Sequence, residues 1–401
     1  MFVTPQSRGP RTIAAVTAPS QPDILLFILD AGGGHRAAAN AIVAAAAQQG
    51  RPWRLGVVNL QDVLAPLDFG RALTGRPMEQ TYNDMVRRGR TRLLVPLLRS
   101  FQWLIRRMRE PLCRLIAAEL GQQRPSLVVS LAPNFNGVVR LAVKRSLEGT
   151  PFFVVLTDFA DFPPHFWMEP GLDGVVVGSD HAFAQALEAG LPAERVMRTS
   201  GMILHPRFYP PPDAVVRARV RAELGIGDDD FTVLLLFGGK GSPELRPLIE
   251  ALRREAPRLH LIAVCGDNPP LFQSLKELER SADGKLHRLG FTDRVAEYLA
   301  ASDLLVTKPG PASLAEAFHV RVPVIVTCND HTIPQERYNA RLVRERNLGV
   351  VVRRWQEIPA AVAELHRDPP RLQSYRAHLS ALPRNQAVFE VLDLFARALG
   401  G

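Results

Sequence analysis

Short apolar runs rich in β-branched residues alternate with helix-length amphipathic stretches along nearly the whole of this 401-residue chain, in two successive passes. The first pass carries Ile24–Leu29, Leu55–Asn59, Leu127–Leu131, Phe152–Leu156 and Val175–Val177, separated by helical patterns such as Arg36–Gln48 and Phe135–Ser146. The second carries Val233–Phe237, Leu261–Cys265, Lys285–Leu289, Leu304–Thr307, Val324–Val326 and Val350–Val352. Such runs, spaced by helices, read as parallel strands buried on both faces and joined by crossover helices. The fold class is therefore α/β, with two Rossmann-like doubly wound sheets in tandem. Between the passes, Pro206, Pro210, Pro211 and Pro212 can continue neither a helix nor a central strand, so His205–Asp213 marks a boundary. The expected division is a loose tail over 1–21, one domain over 22–205, a second over 206–383, and a closing helix over 384–401 that packs back on the first domain.

Composition narrows the function classes. A hydrophobic share of 46% supplies ordinary cores and excludes a disordered chain. No uncharged stretch reaches the roughly 18 apolar residues of a membrane span. Ile13–Val16 is too brief for a signal-peptide core. Cys113, Cys265 and Cys328 are far apart and form no C-x-x-C pair, which fits a reducing, cytoplasmic setting and neither a disulfide framework nor a cysteine-rich zinc site.

The net charge of +9 is concentrated: eleven arginines between Arg71 and Arg114 face only Glu79, Asp84 and Glu110. A clustered basic surface implies a polyanionic partner. Within Thr91–Leu120, Leu93, Leu94, Leu97, Leu98, Phe101, Leu104 and Ile105 recur at helical spacing among Arg92, Arg99, Arg106, Arg107 and Arg109. A basic amphipathic helix of this kind can lie in an anionic bilayer surface, each cation contributing about 1 kcal/mol; a core helix with a solvated basic face is the alternative. No aromatic–basic interleaving or reading motif accompanies the charge, which disfavours nucleic acid. The candidate membrane and acceptor residues are Arg87, Arg88, Arg92, Leu97, Phe101, Trp103 and Arg106.

Open α/β sheets bind ligands beyond the carboxyl ends of their strands, so function is sought on strand-end loops and in the cleft between two facing sheets. After the first strand come Gly32, Gly33 and Gly34, which let a ligand approach the backbone, and then His35 at the start of a helix. The imidazole could take a proton from an attacking hydroxyl or merely cap its helix. The spacing Gly32-x-Gly34-x-x-Ala37 also fits a dinucleotide fingerprint, but the next strand ends in neutral Asn59 where a ribose-binding carboxylate is needed. Asp158 ends another strand and could orient His35, act as the base itself, or be structural. The aromatic loop that follows, with Phe166 and Trp167, would offer an apolar platform if its rings were exposed.

In the second pass, backbone donors around Gly239 and Lys240 could reach a diphosphate, although the Walker pattern G-x-x-x-x-G-K-[ST] is absent. The most specific stretch is Thr307-Lys308-Pro309-Gly310-Pro311-Ala312-Ser313, where a strand, a tight turn and a helix start follow one another. Free N–H groups and the positive dipole end there form a diphosphate seat without a metal. Glu316, one turn on, could bind a ribose diol or stabilise the helix dipole. Gln335, Glu336 and Asn339 begin a later helix and suit a polyhydroxylated sugar, the alternative being an exposed polar helix start.

Taken in order, Gly32-Gly33-Gly34-His35-Arg36-Ala37, Tyr82-Asn83, Thr157-Asp158, Gly171-Leu172-Asp173, Gly201, Cys265-Gly266, Gly290-Phe291-Thr292, Thr307-Lys308-Pro309-Gly310-Pro311 and Pro334-Gln335-Glu336 form a specific set. In this the chain resembles the family 28 glycosyltransferases of GT-B fold, and within them the monogalactosyldiacylglycerol synthases and processive diacylglycerol glucosyltransferases. The resemblance implies transfer of a hexose from UDP-galactose or UDP-glucose to a lipid hydroxyl, with diacylglycerol the expected acceptor. It also suggests inversion, while the missing paired-carboxylate arrangement and the helix-start amides point to no cofactor or metal, and the basic segment to a monotopic, peripheral position on the inner face of the plasma membrane. It gives Gly32–His35 to acceptor activation and donor phosphates, Gly310–Ser313 to the diphosphate, Glu316 to the ribose, Gln335 and Glu336 to sugar hydroxyls, and the neighbourhood of Phe291 and Thr292 to uracil. Arg337 and Lys240 depart from the family pattern and leave the sugar open. The rivals are a UDP-sugar epimerase on the same fold, a transferase to a polyprenyl-linked or sterol-like acceptor, and a catalytically silent binding module.

Overall fold

The computed structural model describes residues 23–30, 33–67, 94–210 and 214–400. The first sheet contains β1 (Ile24–Ile28), β2 (Leu55–Asn59), β3 (Leu127–Ser130), β4 (Phe152–Val155), β5 (Gly174–Val177) and β6 (Val196–Arg198), in the order β2-β1-β3-β4-β5-β6. The second contains β7 (Thr232–Leu236), β8 (His260–Val264), β9 (Leu286–Leu289), β10 (Leu304–Thr307), β11 (Val324–Thr327) and β12 (Gly349–Val352), in the order β12-β11-β10-β7-β8-β9. Every pairing is parallel. The inner strands β1, β3, β5, β7, β8 and β10 are buried along their whole length, which is why they read as unbroken apolar runs. Strand order reverses between β1 and β3 and again between β7 and β10, so each sheet has a crevice at that point.

The Gly34–Gln48 helix lies on β1 through small side chains, burying Ala38, Ala39, Ala41, Ile42, Ala45 and Ala46. One apolar core runs from this helix through Phe208 and Tyr209 into the second lobe. The last helix, Ala387–Ala398, returns to the first lobe and buries Val388, Val391, Leu392 and Phe395. Its polar contacts lie in the same place: Asp393 pairs with Arg51 at 2.6 Å, and Glu390 accepts from the Ser200 N–H at 2.7 Å. Just before it, Asn385 Nδ2 donates to the Met202 carbonyl at 2.8 Å.

The amphipathic stretch within Thr91–Leu120 is two helices, Leu94–Arg107 and Arg109–Gln123, rather than one. Met108, at φ −104° and ψ 18°, leaves the helical range and breaks them. No helix among the described residues is long and apolar enough to cross a membrane. The 1–21 tail, Gly32, Tyr82-Asn83, Arg87, Arg88, Arg92 and Pro211–Asp213 lie outside the described residues.

Phe395 is fully buried in the core the two lobes share. Phe395→Ala is expected to lower folding stability by about 3–5 kcal/mol in urea denaturation.

Candidate active site

At the carboxyl edge of the first sheet, Gly33 sits at φ 81°, a left-handed conformation that glycine adopts without strain, and turns the chain into the Gly34–Gln48 helix. Among the described residues no side chain caps that helix and its first turn holds no acid, so its leading N–H groups have no side-chain partner there. His35, in this first turn, is fixed by the loop after β4: Thr157 Oγ1 lies 3.0 Å from its Nδ1. The Trp167 ring packs on it with centroids 5.6 Å apart. Burial pushes the imidazole pKa down to about 4, against the opposing pull of the Leu131 carbonyl and the Asp30 charge. The ring is therefore neutral at pH 7.

Asp158 does not orient His35. Its Oδ2 accepts from Trp167 Nε1 at 2.9 Å, and the adjacent Thr157 hydroxyl makes the bond to the imidazole. Burial pushes the Asp158 carboxyl up to about 7, opposed by the Trp167 bond, while the Glu336 charge raises it and Lys308 lowers it. Glu336 and Lys308 belong to the second lobe, so the two strand-end edges face each other within electrostatic reach.

In the aromatic loop Phe162 is exposed at its edge, but Phe166 and Trp167 form no platform. Trp167 is 0% exposed and Phe166 is buried, because the indole N–H is drawn inward to Asp158 while Asp161 accepts from the Trp167 backbone N–H at 2.7 Å. Phe101 is also turned inward, half-buried and edge-on to Phe135 at 5.9 Å. Leu97 at 44% and Trp103 at 63% exposure do point to solvent, with Arg106 exposed beside them.

In the second lobe, Gly310 starts the Pro311–Val320 helix, again with no side-chain cap. Pro311 has no N–H, so Ala312 and Ser313 present the first free amides. Lys308 Nζ pairs with Glu336 Oε1 at 3.0 Å beside this turn. Asn339 does not reach the cleft: it is fully buried, and its Nδ2 donates to the Pro309 carbonyl at 2.8 Å, bracing the turn from beneath. Gln335 is buried with an Oε1 that has no partner among the described residues. Asn339 Oδ1 is likewise buried without a partner among the described residues, and an unpaired acceptor of this kind costs about 1–3 kcal/mol. Burial pushes Glu316 up to about 8, with the Arg207 charge opposing, so this carboxyl is protonated at neutral pH and can donate as well as accept.

Gly266, at φ 62°, brings the loop after β8 against the Gly238–Gly241 turn; a Cβ there would meet the Gly239 carbonyl oxygen at 2.2 Å. The neighbouring Asp267 N–H donates to that oxygen at 2.7 Å, and Gly239 and Lys240 are exposed. Phe291 is 76% exposed on the next loop, and Thr292 Oγ1 accepts from the Arg294 N–H at 3.1 Å. Across the cleft rim, the His181 and Tyr338 rings stack at 4.2 Å and Asp180 pairs with Arg346 at 3.4 Å. Sequence reasoning gave no role to Thr157 or Lys308, although both stand in motifs it singled out; their partners are 122 and 28 residues away.

Residues 232–385 match the family model of the glycosyltransferase family 28 C-terminal domain, and residues 35–202 match that of monogalactosyldiacylglycerol (MGDG) synthase. The chain is 26% identical over 395 residues to monogalactosyldiacylglycerol synthase 2, chloroplastic, of Arabidopsis thaliana, covering 94% of this chain and 81% of the relative. It is 28% identical over 245 residues to the processive diacylglycerol beta-glucosyltransferase of Bacillus pumilus, 61% of each chain. Among solved structures, Anabaena HepE in complex with UDP-glucose superposes with a TM-score of 0.54 at 17% identity, over 94% of this chain and 99% of that one. That likeness is one of fold, the two-lobed GT-B architecture.

With its pKa depressed, native His35 binds fewer protons than the unfolded chain between about pH 4 and 6.5. Stability should therefore fall as pH drops through that window, by at most about 3 kcal/mol. His35→Gln should lose this component in pH-dependent denaturation, and nuclear magnetic resonance should find the wild-type ring neutral at pH 6.

Proposed function

Because the chain belongs to the family 28 glycosyltransferases, we propose that this hexosyltransferase moves a hexose from a UDP-sugar to a hydroxyl of 1,2-diacylglycerol. The observation that carries this reading is the uncapped start of the Pro311–Val320 helix, flanked by the Lys308–Glu336 pair, facing Asp158 and neutral His35 on the other lobe. The diphosphate seats on the Ala312 and Ser313 amides, where helix-start dipoles stabilise the charge that develops as it leaves. The acceptor oxygen bonds to the anomeric carbon as the carbon–phosphate-oxygen bond breaks, and the hydroxyl proton passes to His35, held by Thr157. The arriving diphosphate is anionic and raises the basicity of that imidazole once the donor is bound. Glu316 and the orphaned Gln335 oxygen suit ribose and sugar hydroxyls.

The Leu94–Arg107 helix supplies a lipid-facing surface in this reading. Leu98 and Ile105 anchor it to the core, while Leu97 and Trp103 project outward among exposed Arg99, Arg106 and Arg107. Gln102 Nε2 donates to the Pro164 carbonyl at 3.4 Å, placing the helix against the aromatic loop that carries Asp158's partner. Three cations contribute about 3 kcal/mol at an anionic surface, comparable to the insertion of one large ring, so charge and apolar burial share the attachment.

Incubation with radiolabelled UDP-galactose or UDP-glucose and diacylglycerol should place label in the organic extract, at a rate that excess chelator leaves unchanged. His35→Ala should slow transfer about 10²–10⁴-fold. Label that stays in the aqueous phase would overturn the reading, and an epimerase would give that result.

Flotation with anionic liposomes should carry the protein upward, less so at high salt and less so for Trp103→Ala.

A further inference from the structure

The second lobe carries another basic site at the opposite edge of its sheet, where the strands begin. Asp303, just before β10, is 12% exposed and both its oxygens are occupied. Oδ1 accepts from Arg217 Nη2 and from Arg376 Nη2, each at 2.9 Å. Oδ2 accepts from the Thr232 N–H at 3.0 Å and lies 3.8 Å from Arg221, which is itself buried. Arg321, half-buried at the end of the Pro311–Val320 helix, bonds among the described residues only carbonyl oxygens, those of Phe318, Leu379 and Leu382. Asp228 and Asp230 offset Arg221 from behind, but neither lines the space the other three enclose.

That space is a cavity of about 290 Å³ bounded by Arg217, Arg321, Arg376, Asp303 and Ser302, with Ala300, Val320 and Val322 as apolar wall. Three guanidiniums therefore meet one carboxylate whose acceptor capacity is already used. Arg376 commits a single N–H to the protein, and its Nε and Nη1 donors have no partner among the described residues. A planar fork with unused donors in a partly desolvated, positive cavity is the arrangement that binds oxyanions bidentately.

We propose that this cavity binds a phosphate-type oxyanion, distinct from the diphosphate seat at the other end of the Pro311–Val320 helix. The anion completes Arg376, while Arg217, whose Nη1 already donates to the Ala300 and Ser302 carbonyls at 3.1 and 3.3 Å, adds its charge; together they tie the helices Ala214–Glu223 and Pro369–Ala381 to the turn at Arg321. Its source is either free phosphate or the phosphate of a lipid headgroup, the recognised chemistry being the same.

Inorganic phosphate titrated calorimetrically into the full chain is the direct test, with Arg376→Gln alongside. That substitution leaves Asp303 with Arg217, Arg221 and the Thr232 N–H, so the fold is retained, and Arg376→Lys, which keeps the charge but not the fork, serves as a second variant. Phosphate held at Ala312 and Ser313 binds all forms alike, so the difference between them reads the cavity alone. Wild-type protein should show a site that Arg376→Gln weakens at least about tenfold and Arg376→Lys weakens less, and phosphate should raise its thermal midpoint more than that of Arg376→Gln. Cosedimentation with phosphatidylcholine vesicles carrying an anionic phospholipid separates the sources. Binding that drops in Arg376→Gln and is competed by free phosphate assigns a headgroup; binding unaffected by the substitution assigns the soluble anion. Identical titrations for wild type and both variants, or no phosphate binding beyond the cleft, would overturn the proposal.

Discussion

A parallel sheet sends every strand's carboxyl end to the same edge, and two such edges turned toward each other leave room for little but loops and helix starts. Two of those starts, Gly34–Gln48 and Pro311–Val320, are left uncapped. Caps of the kind that Ser179, Asn268 and Asp368 supply are absent from these two starts, as they are from several other helices of this chain, so what sets the two apart is their place at the facing edges. Leaving them open costs stability and creates a place where an anion is preferred to water.

The titratable groups of the cleft follow the same logic. Burial depresses His35 and elevates Asp158 and Glu316, so each is pushed toward its uncharged form. The positive features that a doubly charged ligand meets among the described residues then include the helix dipoles, Arg207 near Glu316, and Lys308, itself steadied by Glu336. A cleft arranged this way takes its charge from the substrate, and the uncharged imidazole keeps a lone pair available at neutral pH.

Much of this is legible in the amino-acid sequence alone. Strands buried on both faces must be continuous apolar runs, and Gly- or Pro-marked turns before helices are few, so the sheets and the loops at Gly33 and Gly310 stood out. β6 did not, because it is a three-residue edge strand ending in Arg198. The break at Met108 was equally hidden, since Arg, Met and Arg all favour helix and only packing decides otherwise. At the site, a carboxylate beside a histidine looks like its natural partner, yet Asp158 is turned to an indole N–H and a plain threonine hydroxyl takes the role. Asn339 misleads for a related reason: a polar residue at a helix start reads as exposed, whereas here it answers a carbonyl under the turn. Trp167 and Phe166 point inward because burying the indole requires a hydrogen-bond acceptor, and Asp158 is within reach.

The returning Ala387–Ala398 helix has a mechanical consequence. The polypeptide passes between the lobes twice, once through Pro206–Phe208 and once just ahead of Asn385, and two attachment points define an axis. Relative movement of the lobes would strain both connections together with the apolar core they share. Separation must break the Phe159–Phe318, His181–Tyr338 and Asp180–Arg346 contacts as the jaws part. Widening the gap between the His35 and Ala312 edges would therefore have to give up those rim contacts while the two connections and the apolar core they share stay joined.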